Sequence, residues 1–214
     1  MGVNVIGSCI YDDAIVSKAA QSEIIRRYLT AIVDLRRHKE KVETVEKLEM
    51  IMNQSGLTVD DRIVVKYAND KAKETGKPAV AMQLCDGTIV TGKTSNLLGA
   101  ASACLLNALK IIGNIDDEIP LISSKVIKPV QELKVTHLGN NNPLLHVDEV
   151  LIMLSVAATE NEYAKKALEQ LPKLEGSEMH SSVILSSTDK KVIKELNINL
   201  TTNPNYQTNR LFRK

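Results

Sequence analysis

The stretch from Asn96 to Gly113, NLLGAASACLLNALKIIG, constrains the fold more than any other part of the chain. It is apolar on nearly every side, so as a helix it must be covered on nearly every side. Gly99, Ala100, Ala101, Ser102 and Ala103 are small enough to let a sheet approach closely. A sheet is also what precedes it: AVAMQL, then Cys85-Asp86-Gly87, then TIVTGK reads as two short strands around an Asp-Gly turn. Gly99, Ser102 and Asn107 interrupt the run, which is too short and too broken to span a bilayer. A central helix buried against a hairpin is the expected nucleus of the fold.

Around this nucleus, residues 14–53 read as helix. Ile24, Ile25, Tyr28, Leu29 and Ile32 form one apolar stripe and Val45, Leu48, Ile51 and Met52 a second. The RRHKEK run at 36–41 lies between them, balanced by Glu40, Glu43 and Glu46, and reads as a solvated connection. Gly56 suits a helix C-terminus and Asp60 or Asp61 the start of the next helix, which carries Ile63, Val64, Tyr67, Ala68 and Ala72. Residues 114–143, with Pro120, Pro129 and Pro143, give no clear element and form the expected irregular, site-forming stretch. Further on come a helix from Asp148 to Thr159, one capped by Asn161, a strand HSSVILS, a helix capped by Thr188 or Asp189, and a strand NINLTT. The expectation is an α/β protein: a helical portion over 1–58 and a layered α/β domain over 59–214.

Charge and composition narrow the partners. Lys and Arg number 27 against 26 Asp and Glu, so no long-range field steers the chain to nucleic acid or to a membrane surface. Trp is absent and Phe212 is the only Phe, which leaves little material for base stacking; a small basic tail, Arg210, Arg213 and Lys214, remains. Cys9, Cys85 and Cys104 are odd in number and far apart, which argues against a disulfide framework or a CxxC metal or redox motif and for a reducing, cytoplasmic setting. The N-terminus MGVNVIGSCIYDD lacks a basic start and a long apolar stretch.

Gly87 to Thr94 matches the phosphate-loop pattern G-x-x-x-x-G-K-[ST]. That loop works by turning successive backbone N–H groups onto phosphate oxygens, whereas Thr88, Ile89, Val90 and Thr91 are a β-branched run that favours a strand ladder. We therefore read a hairpin ending before a helix start, where Lys93, Thr94 and Ser95 could still bind a small anion. The histidines His38, His137, His146 and His180 show no HExxH or related metal spacing. Asn140, Asn142 and His146 lie in the turn GNNNPLLH before a helix opened by Asp148 and Glu149, and Glu178, His180 and Ser182 alternate along one strand. Each set has a plain reading, as Asx turns and caps or as strand polarity, and a functional one as the polar lining of a site.

Several segments together, MGVNVIG, SEIIRRY, DGTIVTGKTSNLLGAASACLLNALK, HLGNNNPLLHVDEVLIMLS, GSEMHSSVILS and LNINLTTNPNYQTNRLFRK, resemble the C-terminal portion of bacterial proteins of the domain of unknown function 1846 family. The resemblance implies a helical portion followed by a three-layer αβα domain with cytidine-deaminase-like topology. It also implies a parent protein about twice this length, with an upstream half of phosphate-loop type, so that this chain is expected to be a C-terminal fragment or split product. The family segment commonly reads TGKNS where this chain has TGKTS, which makes the phosphate-loop match a coincidence of Thr94. The residues of the family's polar motifs carried onto this chain are Lys93, Ser95, Asn140, Asn142, His146, Glu149, Glu178, His180 and Ser182; no established role comes with them.

The leading expectation is a small polar or phosphorylated ligand bound where these motifs meet. Lys93, Ser95, Asn140, Asn142 and Ser182 would bind it, His146 or His180 would exchange protons, and Glu149 or Glu178 would orient the imidazole. No cofactor is indicated. The alternative is a non-catalytic assembly module whose helices at 14–53 self-associate or dock the family's N-terminal half.

Overall fold

A computed structural model describes residues 12–207. Cys9, the MGVNVIG segment and the tail residues Arg210, Phe212, Arg213 and Lys214 lie outside the described residues. The chain divides into two compact units between Arg62 and Ile63.

The first unit is a helical pair, α1 (Asp13–Arg36) and α2 (Val42–Gln54). Asp12 starts α1 by accepting hydrogen bonds from the N–H groups of Ala14 and Ile15 at 2.9 and 3.1 Å. Of the expected stripe Ile25 and Leu29 are buried, together with Ala31 and Val33, while Ile24, Tyr28 and Ile32 are half-buried. The charged run forms the turn between the helices, with His38 in the left-handed region at φ 57°. Gly56, at φ 64°, follows α2, as its lack of a Cβ allows. Thr58 and Asp61 then cap a short 3-10 turn reciprocally, so the capping pair is Thr58 with Asp61.

The second unit is a mixed α/β domain. Its elements are α3 (Ile63–Thr75), β1 (Ala79–Gln83), β2 (Ile89–Lys93), α4 (Ala100–Ile112), α5 (Ser124–Glu132), α6 (Val147–Ala157), α7 (Glu162–Leu168), β3 (Glu178–Ser181), α8 (Ser187–Glu195) and β4 (Asn199–Thr202). The four strands lie in the order β2-β1-β3-β4, with β1 antiparallel to β2 and β3, and β3 parallel to β4. Alternation along β1 divides the two faces of the sheet. Ala81 packs with Val64 and Ala68 of α3, while Val80 and Met82 join Cys104, Leu105, Ala108 and Leu109 of α4 in the main core.

The hairpin is as read, and Gly92 shows why it must be. A Cβ built there would lie 2.2 Å from the Cys104 nitrogen and 2.6 Å from its Cα, so strand and helix backbones touch through the missing side chain. Gly92 faces Val80 in the ladder, and Ile89–Lys93 is strand throughout. The phosphate-loop pattern is thus spent on a strand.

Three boundaries differ from expectation. The unassigned stretch holds α5, which tolerates Pro129 inside it, followed by a π turn, Leu133–His137. The third strand covers Glu178–Ser181, ending before the apolar Val183-Ile184-Leu185; Ile184 instead donates its N–H to the Asn205 carbonyl at 2.8 Å. The cap of α8 is Ser186, whose hydroxyl accepts from the Asp189 N–H at 3.0 Å, in place of Thr188 or Asp189.

Among the described residues no helix is long and apolar enough to cross a membrane.

Candidate functional site

The strand register places Lys93 beside Ala79 and Ser181 beside Val80, so β2 and β3 end on the same side of the sheet. Helices α4, α6 and α8 all start there. Leu145 joins the first two: its N–H donates to the Leu97 carbonyl at 3.1 Å, and its carbonyl accepts from the Gly99 N–H at 3.2 Å and the Ser102 hydroxyl at 3.0 Å. Asp189 joins the last two, because its Oδ1 accepts from the Val147 N–H at 2.8 Å. Crevices beyond the carboxyl ends of strands are where α/β domains commonly hold ligands.

His146 is the N-cap of α6 and sits at this junction. Its Nδ1 lies 3.0 Å from Asp189 Oδ2, and its Nε2 has no hydrogen bond to any described residue. The side chain is 22% exposed and Asp189 10%. The hydrogen bond that its Nδ1 donates to Asp189 raises the pKa of His146, helped by the carboxylate charge and opposed by burial. Burial pushes Asp189 upward, but the hydrogen bond and charge of His146, with the Val147 N–H and the Ser186 hydroxyl, outweigh it and leave the carboxyl below its ordinary range.

Ser186 completes the cluster without making a catalytic triad. Its hydroxyl donates to Asp189 Oδ2 at 2.8 Å and approaches the same imidazole nitrogen, Nδ1, at 3.4 Å. A nucleophilic serine must face the nitrogen that the carboxylate does not hold, and Ser186 does not.

Behind His146 lies a buried ion pair. The π turn carries Lys134 inward, where its ammonium meets Glu149 Oε2 at 2.7 Å and the Leu144 carbonyl at 2.8 Å. The same Glu149 oxygen accepts the His146 backbone N–H at 2.7 Å. Glu149 therefore fixes the main chain of His146 and not its ring. The neighbouring Asp148 has Oδ1 shielded from solvent and without a hydrogen-bond partner, an atom suited to a ligand or water donor.

The other polar residues are distributed more widely. Lys93 is exposed at the end of β2. Ser95 accepts the N–H groups of Leu97 and Leu98 at 3.2 and 3.0 Å, which shapes the approach to α4. Asn140 and Asn142 form consecutive Asx turns, their side-chain oxygens accepting from the Asn142 and Leu144 N–H groups. Ser182 accepts the Ala79 N–H at 3.0 Å and ties β3 to β1. His180 is fully buried on the α3 face, with Nδ1 2.8 Å from the Thr201 hydroxyl and Nε2 3.1 Å from Asn203 Oδ1. Glu178 accepts from the Asn199 amide at 3.0 Å. Among the described residues the hydrogen bonds of His180 and Glu178 run to Thr201, Asn203 and Asn199, on β4 and just past it, and not to the His146 cluster.

Sequence reasoning missed Asp189, Ser186 and Lys134 as members of this cluster. The S-x-x-D spacing after a strand signals a helix start, but nothing local says that its carboxylate reaches His146, 43 positions away. Among the described residues no group of three or more His, Cys, Asp and Glu is arranged to hold a metal ion.

Comparison with known proteins agrees with the family resemblance. The profile described as "Domain of unknown function DUF1846, C-terminal" matches residues 60–212, and its N-terminal counterpart matches residues 1–56. The chain is 48% identical over its full length to the UPF0371 protein of Streptococcus pneumoniae (strain CGSP14), and equally to that of Corynebacterium urealyticum. It spans 43% of the length of each. With sequence from both of its domains present, the chain belongs to the DUF1846 family.

Proposed function

We propose that the end of the sheet where α4, α6 and α8 begin binds a small polar ligand, and that His146 exchanges a proton with it. The observation that carries this reading is the imidazole held at Nδ1 by Asp189, with Nε2 unoccupied and the ring partly exposed. A carboxylate on one ring nitrogen fixes orientation and stabilises the imidazolium, so the other nitrogen can give or take a proton near neutral pH. Lys93 supplies a cation at the same end for an anionic ligand, and the side-chain amide N–H groups of Asn140 and Asn142 supply neutral donors. Glu149 and Lys134 position His146, and His180, Glu178 and Ser182 serve the sheet. The orienting carboxylate in this reading is Asp189, in place of Glu149 or Glu178.

A thermal-shift screen of the whole chain against inorganic phosphate, sugar phosphates, nucleotides and amino acids tests the proposal. A saturable shift that disappears in His146→Ala and weakens in Lys93→Ala supports it. The same shift in both variants, or none with any probe, overturns it.

A second reading has its own observation. The chain spans 43% of its relatives' length, and the helices of the first unit expose Ile15 and Met50 at 67% and 58%. These helices would then dock the remainder of the family protein or a second copy. Sedimentation of the chain alone and mixed with the remaining portion of a relative separates the two. The finer topological likeness to cytidine deaminases is supported by helices on both faces and by β1 running against both its neighbours. The free thiols Cys85 and Cys104 favour the cytoplasm as its setting.

A further inference from the structure

Helix α3 and strand β2 enclose an open groove of about 600 Å³, lined by Tyr67, Asp70, Lys71, Glu74, Ile89 and Thr91. Its size is that of a ligand cleft, and its walls are unlike those of the His146 site. Among the described residues β2 pairs only with β1. Inward hydrogen bonds at Thr88, whose carbonyl accepts from Leu84, and at Thr94, whose N–H donates to Pro78, fix the alternation of the ladder. Ile89, Thr91 and Lys93 consequently turn their backbone N–H and C=O groups outward. Of these groups, the Thr91 carbonyl accepts from the Asn107 amide at 2.9 Å, and the Thr91 N–H has no partner among the described residues.

The helix wall supplies charge. Lys71 is tied to Glu74 at 3.0 Å, whereas Asp70 makes no hydrogen bond or ion pair with a described residue. Asp70 lies one turn along α3 from Tyr67, a residue that is 43% exposed. A carboxylate without a partner beside an aromatic face suits a lysine or arginine side chain, by ion pairing and by cation–π attraction. Unpaired main-chain groups on an edge strand suit a peptide backbone, which adds as a further strand while side chains on one face enter the groove.

We propose that this groove receives an extended basic peptide, which pairs with β2 and places a lysine or arginine between Tyr67 and Asp70. The inference is independent of the chemistry at His146.

The test uses the whole chain and two fluorescein-labelled octapeptides, one alternating lysine with valine and one alternating glutamate with valine, followed by anisotropy. The lysine peptide is expected to bind saturably and the glutamate peptide not at all. Asp70→Lys should weaken binding about tenfold or more by replacing attraction with repulsion. Thr91→Pro should also weaken it, because it removes an outward N–H and leaves the β1 ladder intact, as edge strands tolerate. Circular dichroism and melting of both variants show that they are folded. Equal binding of both peptides, binding indifferent to Asp70→Lys, or no binding at about 1 mM overturns the proposal. Spermidine displacing the peptide, with Thr91→Pro without effect, would reduce the groove to a cation site and overturn strand addition. Self-association abolished by Thr91→Pro would assign the edge to a second copy and overturn it equally.

Discussion

Replacing Gly92 with alanine tests the packing of the second unit at its tightest point. The added Cβ would sit 2.2 Å from the Cys104 nitrogen, 2.6 Å from its Cα and 2.8 Å from the Ala103 carbonyl carbon. Comfortable separation between such atoms is about 3.5 Å or more, so β2 and α4 must part by roughly 1 Å. All three obstructing atoms are backbone, and no rotamer change relieves them. Parting the elements also loosens Val90, Leu105 and Ala108, which belong to the main core. Overpacking commonly costs about 1–3 kcal/mol, and a backbone obstruction belongs at or above the top of that range, about 3 kcal/mol. For a chain of this size that is a fall in Tm of roughly 6–12 °C. Urea titration followed by far-ultraviolet circular dichroism, with thermal melting alongside, measures it. Lys93→Ala is the control, since the side chain is exposed and its removal should stay within about 0.5 kcal/mol. A loss below about 1 kcal/mol for Gly92→Ala would refute the reasoning. A phosphate loop would give the opposite pattern: Gly92→Ala and Lys93→Ala both stable, both deficient in nucleotide binding.

Three further outcomes follow, two from the site and one from the core. The raised pKa of His146 contributes stability that is complete below the ordinary histidine value of about 6.5 and fades as pH rises through the folded value. The lowered pKa of Asp189 contributes above the ordinary carboxylate value of about 3.9 and is lost as pH falls through the folded value. The gap in Tm between wild type and Asp189→Asn should therefore be widest near pH 5–6 and narrow on both sides; a gap growing steadily to pH 9 would contradict the ion pair. Lys134→Ala, which strands Glu149 beside the start of α6, should cost about 2–3 kcal/mol in urea denaturation, less than a fully buried pair because Glu149 is 29% exposed. Burial pushes the Cys104 thiol up to about 12, so in native protein a maleimide should label Cys85 and spare Cys104, as peptide mapping would show. Rapid native labelling of Cys104 would mean that α4 leaves the sheet readily.

The sequence determined what depends on neighbours along the chain. The all-round apolar helix, the Asp-Gly hairpin, the stripes of α1 and the Asn161 cap follow from periodicity and from turn and capping chemistry, which act over a few residues. It also decided against the phosphate loop, because the β-branched run Thr88 to Thr91 fits a pleated ladder better than an open loop. Where local signals conflict, as with Pro129 in α5, or are weak, as at the end of β3, the boundaries were not legible.

The candidate site belongs to the tertiary structure. The sequence marked His146 as polar and helix-initial, but its partner arrives on α8 after β3 has crossed the sheet, and no periodicity records that distance. His180 looked equal to His146 in the chain, and only the register of β3 against β1 and β4 buries it between Thr201 and Asn203. Nothing in the sequence around Lys134 marks it as buried; the π turn directs it at Glu149. In each case local chemistry supplied the group, and its surroundings, which set its charge state and reach, came from packing between elements far apart in sequence.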